Sequence, residues 1–438
     1  MKEISVGLLG CGTVGTGVAK ILLDKQSLIA SRSGIKLKLK HIADIDTGRD
    51  RGLALEAGVM TADAGAVIGD PEIDIIVELI GGETIAKDLM LRAIDNGKHI
   101  VTANKALLSA HGGEIFPRAA EKGLDIAYEA SVGGCMPIIK TIRESLVANR
   151  IDSVRGILNG TCNYILSKIT EERCPFETAL KEAQEKGFAE ADPTLDVDGF
   201  DTAHKLAILN TISYGMPINL GDIYVEGIRG ITPLDIEYAE TFGYRIKLLA
   251  ISKRTDGGVE ARIHPTMIPE DNLLASVSGS LNAVMVSGDC VDDILLYGHG
   301  AGMMPTASAV VSDIVDLARN IAGGLPQRIP ALSYRPEDVK PLPVLPMDNL
   351  LTRYYFRFTA TDRPGVLSKI AGILGNHNIS IQSVQQKGRG TGEQVPLVML
   401  SHMACEADVK QALVEIAGLD IVAAEPVLIR IEDTEEND

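Results

Sequence analysis

The sequence contains no CxxC pair. Its six cysteines, Cys11, Cys135, Cys162, Cys174, Cys290 and Cys405, are scattered along the chain. This pattern reads as free thiols in a reducing compartment, not as a disulfide framework. There is also no excess of positive charge. Lys and Arg total 42 against 59 Asp and Glu, a formal net charge of −17, which argues against nucleic acid and anionic membrane as partners. No apolar run approaches the roughly 20 residues of a membrane helix. No histidine pair has transition-metal spacing. The opening MKEISVGLLGCG runs directly into a glycine-rich turn and lacks a cleavage region, so a cytoplasmic location is expected.

The chain does have 438 residues, a 45% hydrophobic share and a 23% charged share, enough for several cores. The first 125 or so residues alternate apolar strands with helical patterns: strands at 4–9, 37–43, 73–79, 99–102 and 125–128, helices at 14–23 and 89–96. Such alternation implies a parallel, doubly wound sheet. Residues 131–304 read as a mixed α/β block. The helical period at 306–320 suggests a helix returning to the first domain. Pro326, Pro330, Pro336, Pro341, Pro343 and Pro346 mark a semi-rigid spacer. Beyond it the order βαββαβ is ferredoxin-like. The expected organisation is an α/β chain with four parts. These are a Rossmann-type domain at 1–130 completed by about 305–325, a mixed α+β catalytic and dimerisation domain at 131–304, a linker at 326–352, and a small domain at 353–431. The acidic end, EDTEEND, is expected to fray.

Gly10, Gly12 and Gly15 form G-x-G-x-x-G after a strand and before a helix, the context that makes the motif informative. The first glycine permits the tight turn, the second a close approach of backbone to pyrophosphate, the third close helix–strand packing. Thr13 and Val14, between them, belong to the same cofactor-facing turn. Asp44 ends the second strand, where a carboxylate accepts hydrogen bonds from ribose hydroxyls; a plain turn residue is the alternative. Its distance from Gly15 implies an inserted loop at 26–34. Asp44 favours NAD, while Arg49 and Arg51 would tolerate NADP.

Lys105 begins a helix after a strand. It is either a solvated helix-start residue or a cation aimed at substrate. The stretch from Gly187 to Lys205 carries Glu190, Asp192, Asp196, Asp198 and Asp201. Asp201 and Lys205 are i,i+4 on one helix, which could be a surface ion pair. Residues 206–212 are apolar on nearly every face, so this helix is expected to be buried, and a buried lysine among carboxylates can be tuned for proton transfer. Cys135 reads as a buried inert thiol, with a nucleophile as the alternative. His299 reads as a loop residue.

Seven motifs together resemble the bacterial homoserine dehydrogenase family over nearly the whole chain: GLLGCGTVGTGV at 7–18, VELIGG at 77–82, VTANKALL at 101–108, YEASVGGCMPII at 128–139, ILNGTCNYIL at 157–166, GFAEADPTLDVDGFDTAHK at 187–205 and GHGAGMMPTASAVVSDI at 298–314. The resemblance implies reduction of aspartate 4-semialdehyde to homoserine. It implies Lys205 as general acid, Lys105 as a second lysine near cofactor and substrate, and Glu190 as the grip on the substrate ammonium. Asp196 and Asp201 become substrate contacts or lysine orienters, Thr161 a hydroxyl contact, and Gly302 part of a loop closing on nicotinamide. Phe188 stands where many relatives carry tyrosine. A structural sodium ion is implied at Glu129, Val132, Gly134 and Met136. The segment TDRPGVLSKIAGILGNHNISIQSV at 361–384 resembles an ACT domain, which implies L-threonine as effector near Gly365 and Asn378, and a homodimer or homotetramer. Two other classes compete: a catalytically silent NAD-linked sensor, and a thiol-dependent semialdehyde dehydrogenase using Cys135.

Overall fold

The computed structural model describes residues 1–386 and 394–433. The chain divides into two compact units. The first contains Met1–Val154, Thr202–Gly221 and Leu281–Leu342; the second contains Arg155–Asp201, Asp222–Ser280 and the chain from Pro343 onward.

In the first unit, strands and helices alternate: β1 Lys2–Leu9, α1 Thr13–Asp24, α2 Gln26–Ser33, β2 Ile35–Ala43, β3 Met60–Thr61, α3 Ala64–Gly69, β4 Ile75–Glu78, α4 Thr84–Asp95, β5 His99–Thr102, α5 Lys105–Glu121 and β6 Ile126–Ala127. The strands lie in the order β3-β2-β1-β4-β5-β6, and each pairing is parallel. This is a doubly wound dinucleotide-binding sheet, with its switch point beside β1. Val6, Leu8 and Leu9 of β1 are fully buried because helices cover both faces. The helix Met303–Gly323 packs Ala307, Val310 and Ile314 into the same core as Ile4, Val18 and Leu22. It approaches α1 so closely that a Cβ on Gly17 would lie 2.9 Å from the Met303 carbonyl oxygen.

Residues 26–34, expected as an inserted loop, instead form α2, ended by Gly34 at φ 76°. The segment contains no internal glycine or proline to stop a helix, and the left-handed glycine supplies its C-terminal stop.

The proline-rich segment is not a free spacer. Within the first unit the Gln327 amide donates to Asp125 Oδ1 (2.7 Å), Tyr128 Oη donates to the Ala331 carbonyl (2.5 Å), and Tyr334 Oη donates to the Ser213 carbonyl (3.1 Å). Proline removes donors but leaves its carbonyls: Arg143 Nη2 donates to the Pro330 carbonyl at 3.0 Å. Past residue 342, Pro343 accepts from the Val259 amide and Leu345 donates to the Val259 carbonyl, both at 2.9 Å, within the second unit.

The second unit carries an antiparallel hairpin, Tyr244–Thr255 with Gly258–Pro269, a pair the sequence patterns reveal only in part. The C-terminal strands extend this sheet in the order Val427–Ile431, Leu351–Thr361, Gln394–Ser401, Ile381–Gln386, with helices Val366–Asn376 and Glu406–Ala417 on one face. That is the βαββαβ ferredoxin-like order. Tyr354, Phe356 and Phe358 alternate along one strand and bury one face against Ile370, Leu374, Val409 and Ile416. The fold is α/β overall, with a doubly wound domain, a mixed sheet and a terminal ferredoxin-like domain. The acidic tail is not frayed at its start: Glu432 is buried and pairs with Arg155 (3.1 Å), Arg262 (3.1 Å) and Lys253 (2.5 Å). Residues 434–438 lie outside the described residues.

Candidate active site

The turn after β1 distributes its glycines by function. Gly10 adopts φ 92°, and a Cβ there would lie 2.7 Å from the Leu79 backbone. A Cβ on Gly15 would lie 2.2 Å from the Gly10 carbonyl oxygen. Gly12 is different: a Cβ there would meet nothing within 4 Å. Gly12 and Thr13 are exposed, and Val14 is half-buried at the start of α1. The first and third glycines therefore serve the protein's own packing, while the second keeps open space at a helix N-terminus. That is the geometry a dinucleotide pyrophosphate needs.

Asp44 follows β2 and is bound to this turn. Its Oδ2 accepts from the Cys11 amide (2.6 Å) and its Oδ1 from the Asp46 amide (2.9 Å). Arg51 lies 3.1 Å from Oδ1 and donates through Nε to the Cys11 carbonyl (2.8 Å). Burial works against the charge, but the two amides and Arg51 outweigh it and hold the Asp44 carboxyl below its usual pKa.

Lys105 is half-buried in the first turn of α5, whose start is fixed by a buried network. Asn104 Oδ1 caps the Leu107 amide (3.1 Å), and Asn104 Nδ2 donates to the Gly82 carbonyl (2.7 Å). Thr102 Oγ1 donates to Glu78 Oε2 (2.7 Å) and receives the Asn104 amide (3.0 Å). Glu78 Oε1 accepts from the Ile80 amide (2.9 Å). Glu78, Thr102 and Asn104 were not singled out in the sequence, although each stands inside a quoted motif. Their signal was a polar residue at the end of an apolar strand.

Lys205 and Asp201 are both buried, one turn apart on the helix Phe200–Tyr214. Around Asp201 the second unit assembles several expected residues. Asn159 Nδ2 donates to Asp196 Oδ1 (2.6 Å) and to Asp201 Oδ2 (2.9 Å). Thr161 Oγ1 lies 3.0 Å from Asp196 Oδ2 and 2.6 Å from the Phe188 carbonyl oxygen. Asp196 and Asp201 are thus joined by one residue, Asn159, that the sequence alone did not single out, and Thr161 joins them through Asp196. Glu190 stays exposed on the loop before Asp196, with its carbonyl 3.1 Å from Gln184 Nε2. Phe188 is 41% exposed, its ring 4.8 Å from that of Tyr164.

The loop from Glu129 to Met136 packs against the segment 298–300. Gly134, at φ 59°, would place a Cβ 2.5 Å from the Gly300 backbone, and the Cys135 amide donates to the His299 carbonyl (3.2 Å). Val132 and Met136 are buried. Both Glu129 carboxyl oxygens are already engaged, by the Ile139 amide (2.7 Å) and the Lys140 amide (2.9 Å). Burial, with Asp313 adding to it, pushes Glu129 up to about 8. Cys135 is exposed, not buried as expected, because the paired left-handed glycines Gly133 and Gly134 turn the chain outward there. His299 ends a strand, Asp292–His299. Gly302, at φ 126°, precedes the helix Met303–Gly323. In the C-terminal domain Gly365 (φ 89°) and Asn378 (φ 60°) flank the helix Val366–Asn376.

A doubly wound sheet with an open glycine turn, followed by a domain holding lysine and clustered carboxylates, defines an NAD(P)-dependent oxidoreductase with a separate ferredoxin-like domain. The family model for the homoserine dehydrogenase NAD-binding domain matches residues 10–129, that for homoserine dehydrogenase matches 137–315, and that for the ACT domain matches 354–420. The chain belongs to the homoserine dehydrogenase family. Homoserine dehydrogenases of Neisseria gonorrhoeae and Pseudomonas aeruginosa are 45% and 46% identical to it, each alignment covering 99% of both sequences. The crystal structure of a homoserine dehydrogenase from Thiobacillus denitrificans superposes with a TM-score of 0.93 at 47% identity, covering 99% of each chain. A hyperthermophilic archaeal homoserine dehydrogenase in complex with NADPH has a TM-score of 0.61 at 25% identity, covering 72% of this chain and 97% of that one.

Proposed function

We propose that this enzyme catalyses the reversible NAD(P)H-dependent reduction of L-aspartate 4-semialdehyde to L-homoserine, in threonine and methionine biosynthesis. The observation that carries the reading is a buried lysine, Lys205, one helical turn after a buried carboxylate, Asp201. A bound nicotinamide cofactor supplies or accepts the hydride. Everything else falls to the chain. As the aldehyde is reduced, negative charge grows on its oxygen. The Lys205 ammonium stabilises that charge and donates a proton to the oxygen; in the reverse direction the neutral amine takes it back. Lys105 adds a second positive charge toward substrate and cofactor. Glu190 receives the substrate ammonium, and Asp196, Asp201 and Thr161 hold the rest of the substrate or orient the lysine.

Gly10, Gly12, Thr13, Val14, Gly15 and Gly302 contact the cofactor. NAD is favoured, since Asp44 would repel a 2′-phosphate, while Arg51 beside it leaves NADP usable. Sodium binds through a carboxylate oxygen of Glu129 and the backbone carbonyls of Val132, Gly134 and Met136; each Glu129 oxygen accepts one amide and keeps a lone pair for the ion, and oxygen donors suit a hard cation. Residues 1–130 with 305–325, 131–304 and 353–431 are the cofactor, catalytic and regulatory domains. L-Threonine binds near Gly365 and Asn378 and regulates a homodimeric or homotetrameric enzyme. The location is cytoplasmic; among the described residues no helix is long and apolar enough to cross a membrane.

The test is steady-state kinetics with homoserine and both cofactors, with and without threonine. Lys205→Ala should lose about 100-fold or more in kcat, the scale of general acid–base catalysis. Full activity in that variant, or no turnover of homoserine by the native enzyme, defeats the proposal.

A further inference from the structure

We infer that Asn159 is a positioning residue for the reaction, its single amide spacing and aiming the carboxylates of Asp196 and Asp201. The inference rests on the reading of those two carboxylates as part of the active site.

Asn159 lies between the strand Ile151–Ile157 and the helix Gly160–Glu172 and is 4% exposed. Three of the four hydrogen-bonding positions of its amide are occupied. Oδ1 accepts the Cys162 amide at 2.8 Å, which caps the helix. The Nδ2 protons go one to Asp196 Oδ1 and one to Asp201 Oδ2. The amide therefore cannot flip: the reverse orientation would set its carbonyl against two carboxylates and its NH2 against an N–H.

The two carboxylates come from different helices. Asp196 is in Thr194–Val197, and Asp201 is in the first turn of Phe200–Tyr214. Between them the chain turns at Gly199 (φ 89°), where a Cβ would lie 3.0 Å from Val225 Cγ1. Two carboxylates that share a neighbour repel each other, and one of them tends to take up a proton. One N–H on each favours both charged forms and fixes both directions. Asp201 also leads the helix that carries Lys205 in its next turn. The helix-capping role and the clamping role use opposite ends of the amide, so substitution can separate them.

Asn159→Ser keeps a good N-cap acceptor and removes the clamp. Asn159→Asp keeps the acceptor and adds a third carboxylate. We expect Asn159→Ser to melt near the native temperature and to lose roughly 10- to 100-fold in kcat, the scale seen when a supporting hydrogen bond is removed. The acid limb of its kcat/KM profile moves to higher pH, since the carboxylates lose donors that favour their charged forms, and Asn159→Asp moves it further. A folded Asn159→Ser protein with native kcat and an unmoved pH profile overturns the inference. So does a loss of activity that only tracks a loss of folded protein in both variants. Failure of the functional reading looks different: there the native enzyme does not turn over homoserine, or Lys205→Ala is fully active.

Discussion

Asp235 and Arg357 meet at two points, Nε 2.6 Å from Oδ1 and Nη2 3.0 Å from Oδ2, with the carboxylate fully buried. Asp235 also caps its own helix through Thr232 and receives the Tyr355 hydroxyl at 3.0 Å. The pair thus fastens the helix Pro233–Thr241 to the first strand of the ACT domain, Leu351–Thr361. Removing one partner of a buried, hydrogen-bonded pair leaves an uncompensated charge, at a cost of about 3–5 kcal/mol. Arg357→Met should destabilise the protein by that amount in chemical denaturation, and adding Asp235→Leu should recover part of it. An Arg357→Met protein of native stability would show that the pair does not fasten the two elements.

The second and third glycines of the turn should respond differently. Gly15→Ala forces a Cβ to within 2.2 Å of the Gly10 carbonyl oxygen and should lower the stability of the cofactor-free protein by roughly 1–3 kcal/mol or more. Gly12→Ala places a Cβ in open space at φ −71°, so the cofactor-free protein should stay within about 0.5 kcal/mol of native. Its cofactor affinity should still fall, because the added methyl occupies the pyrophosphate approach. Thermal melts and cofactor titrations of both variants check this.

Asp44 should decide between cofactors. Asp44→Ala removes the carboxylate that would repel a 2′-phosphate and releases Arg51 from its 3.1 Å pairing. The kcat/KM with NAD should fall about tenfold or more while that with NADP holds or rises, since specificity here is a difference of contacts. Equal losses with both cofactors would assign Asp44 to the turn alone.

Lys247 supplies a pH dependence. It is buried, donates to the Val277 carbonyl (2.5 Å) and lies 3.3 Å from Asn163 Oδ1. Burial lowers its pKa to about 8 from the ordinary lysine value of 10.5. Below pH 8 both folded and unfolded chains carry the proton, and folding bears the cost of burying the charge. Between pH 8 and about 10.5 the unfolded chain binds more protons, so this group's contribution to stability rises with pH, by roughly 3 kcal/mol in all. The stability difference between the native protein and Lys247→Met, measured across pH 7–10.5, should grow in favour of the native protein. A flat difference would refute it.

Much of the fold was legible because its signals are local. The run at Ile4–Leu9, the three glycines after it and the helical period at 306–320 are dictated by backbone freedom and burial pattern, and each became the expected element. Residues 26–34 misled because distance from the glycine motif says nothing of conformation. Cys135 misled because the burial of one thiol depends on which way two left-handed glycines turn the chain. The strand Tyr244–Thr255 was missed, since a strand buried on most of its length shows no alternation to find.

By itself the sequence determined the chemistry available: a phosphate-admitting turn, two lysines with carboxylates spaced near one of them, and a second small domain. All of these are written in residue identity and short spacing. Only the tertiary structure decided that the proline segment is tied down, that the Glu129 carboxyl is engaged by amides, and that one asparagine serves two carboxylates from separate helices. Those are relations between residues far apart in the chain, and the free energy that selects them comes from burial and hydrogen-bond satisfaction after the chain has closed on itself.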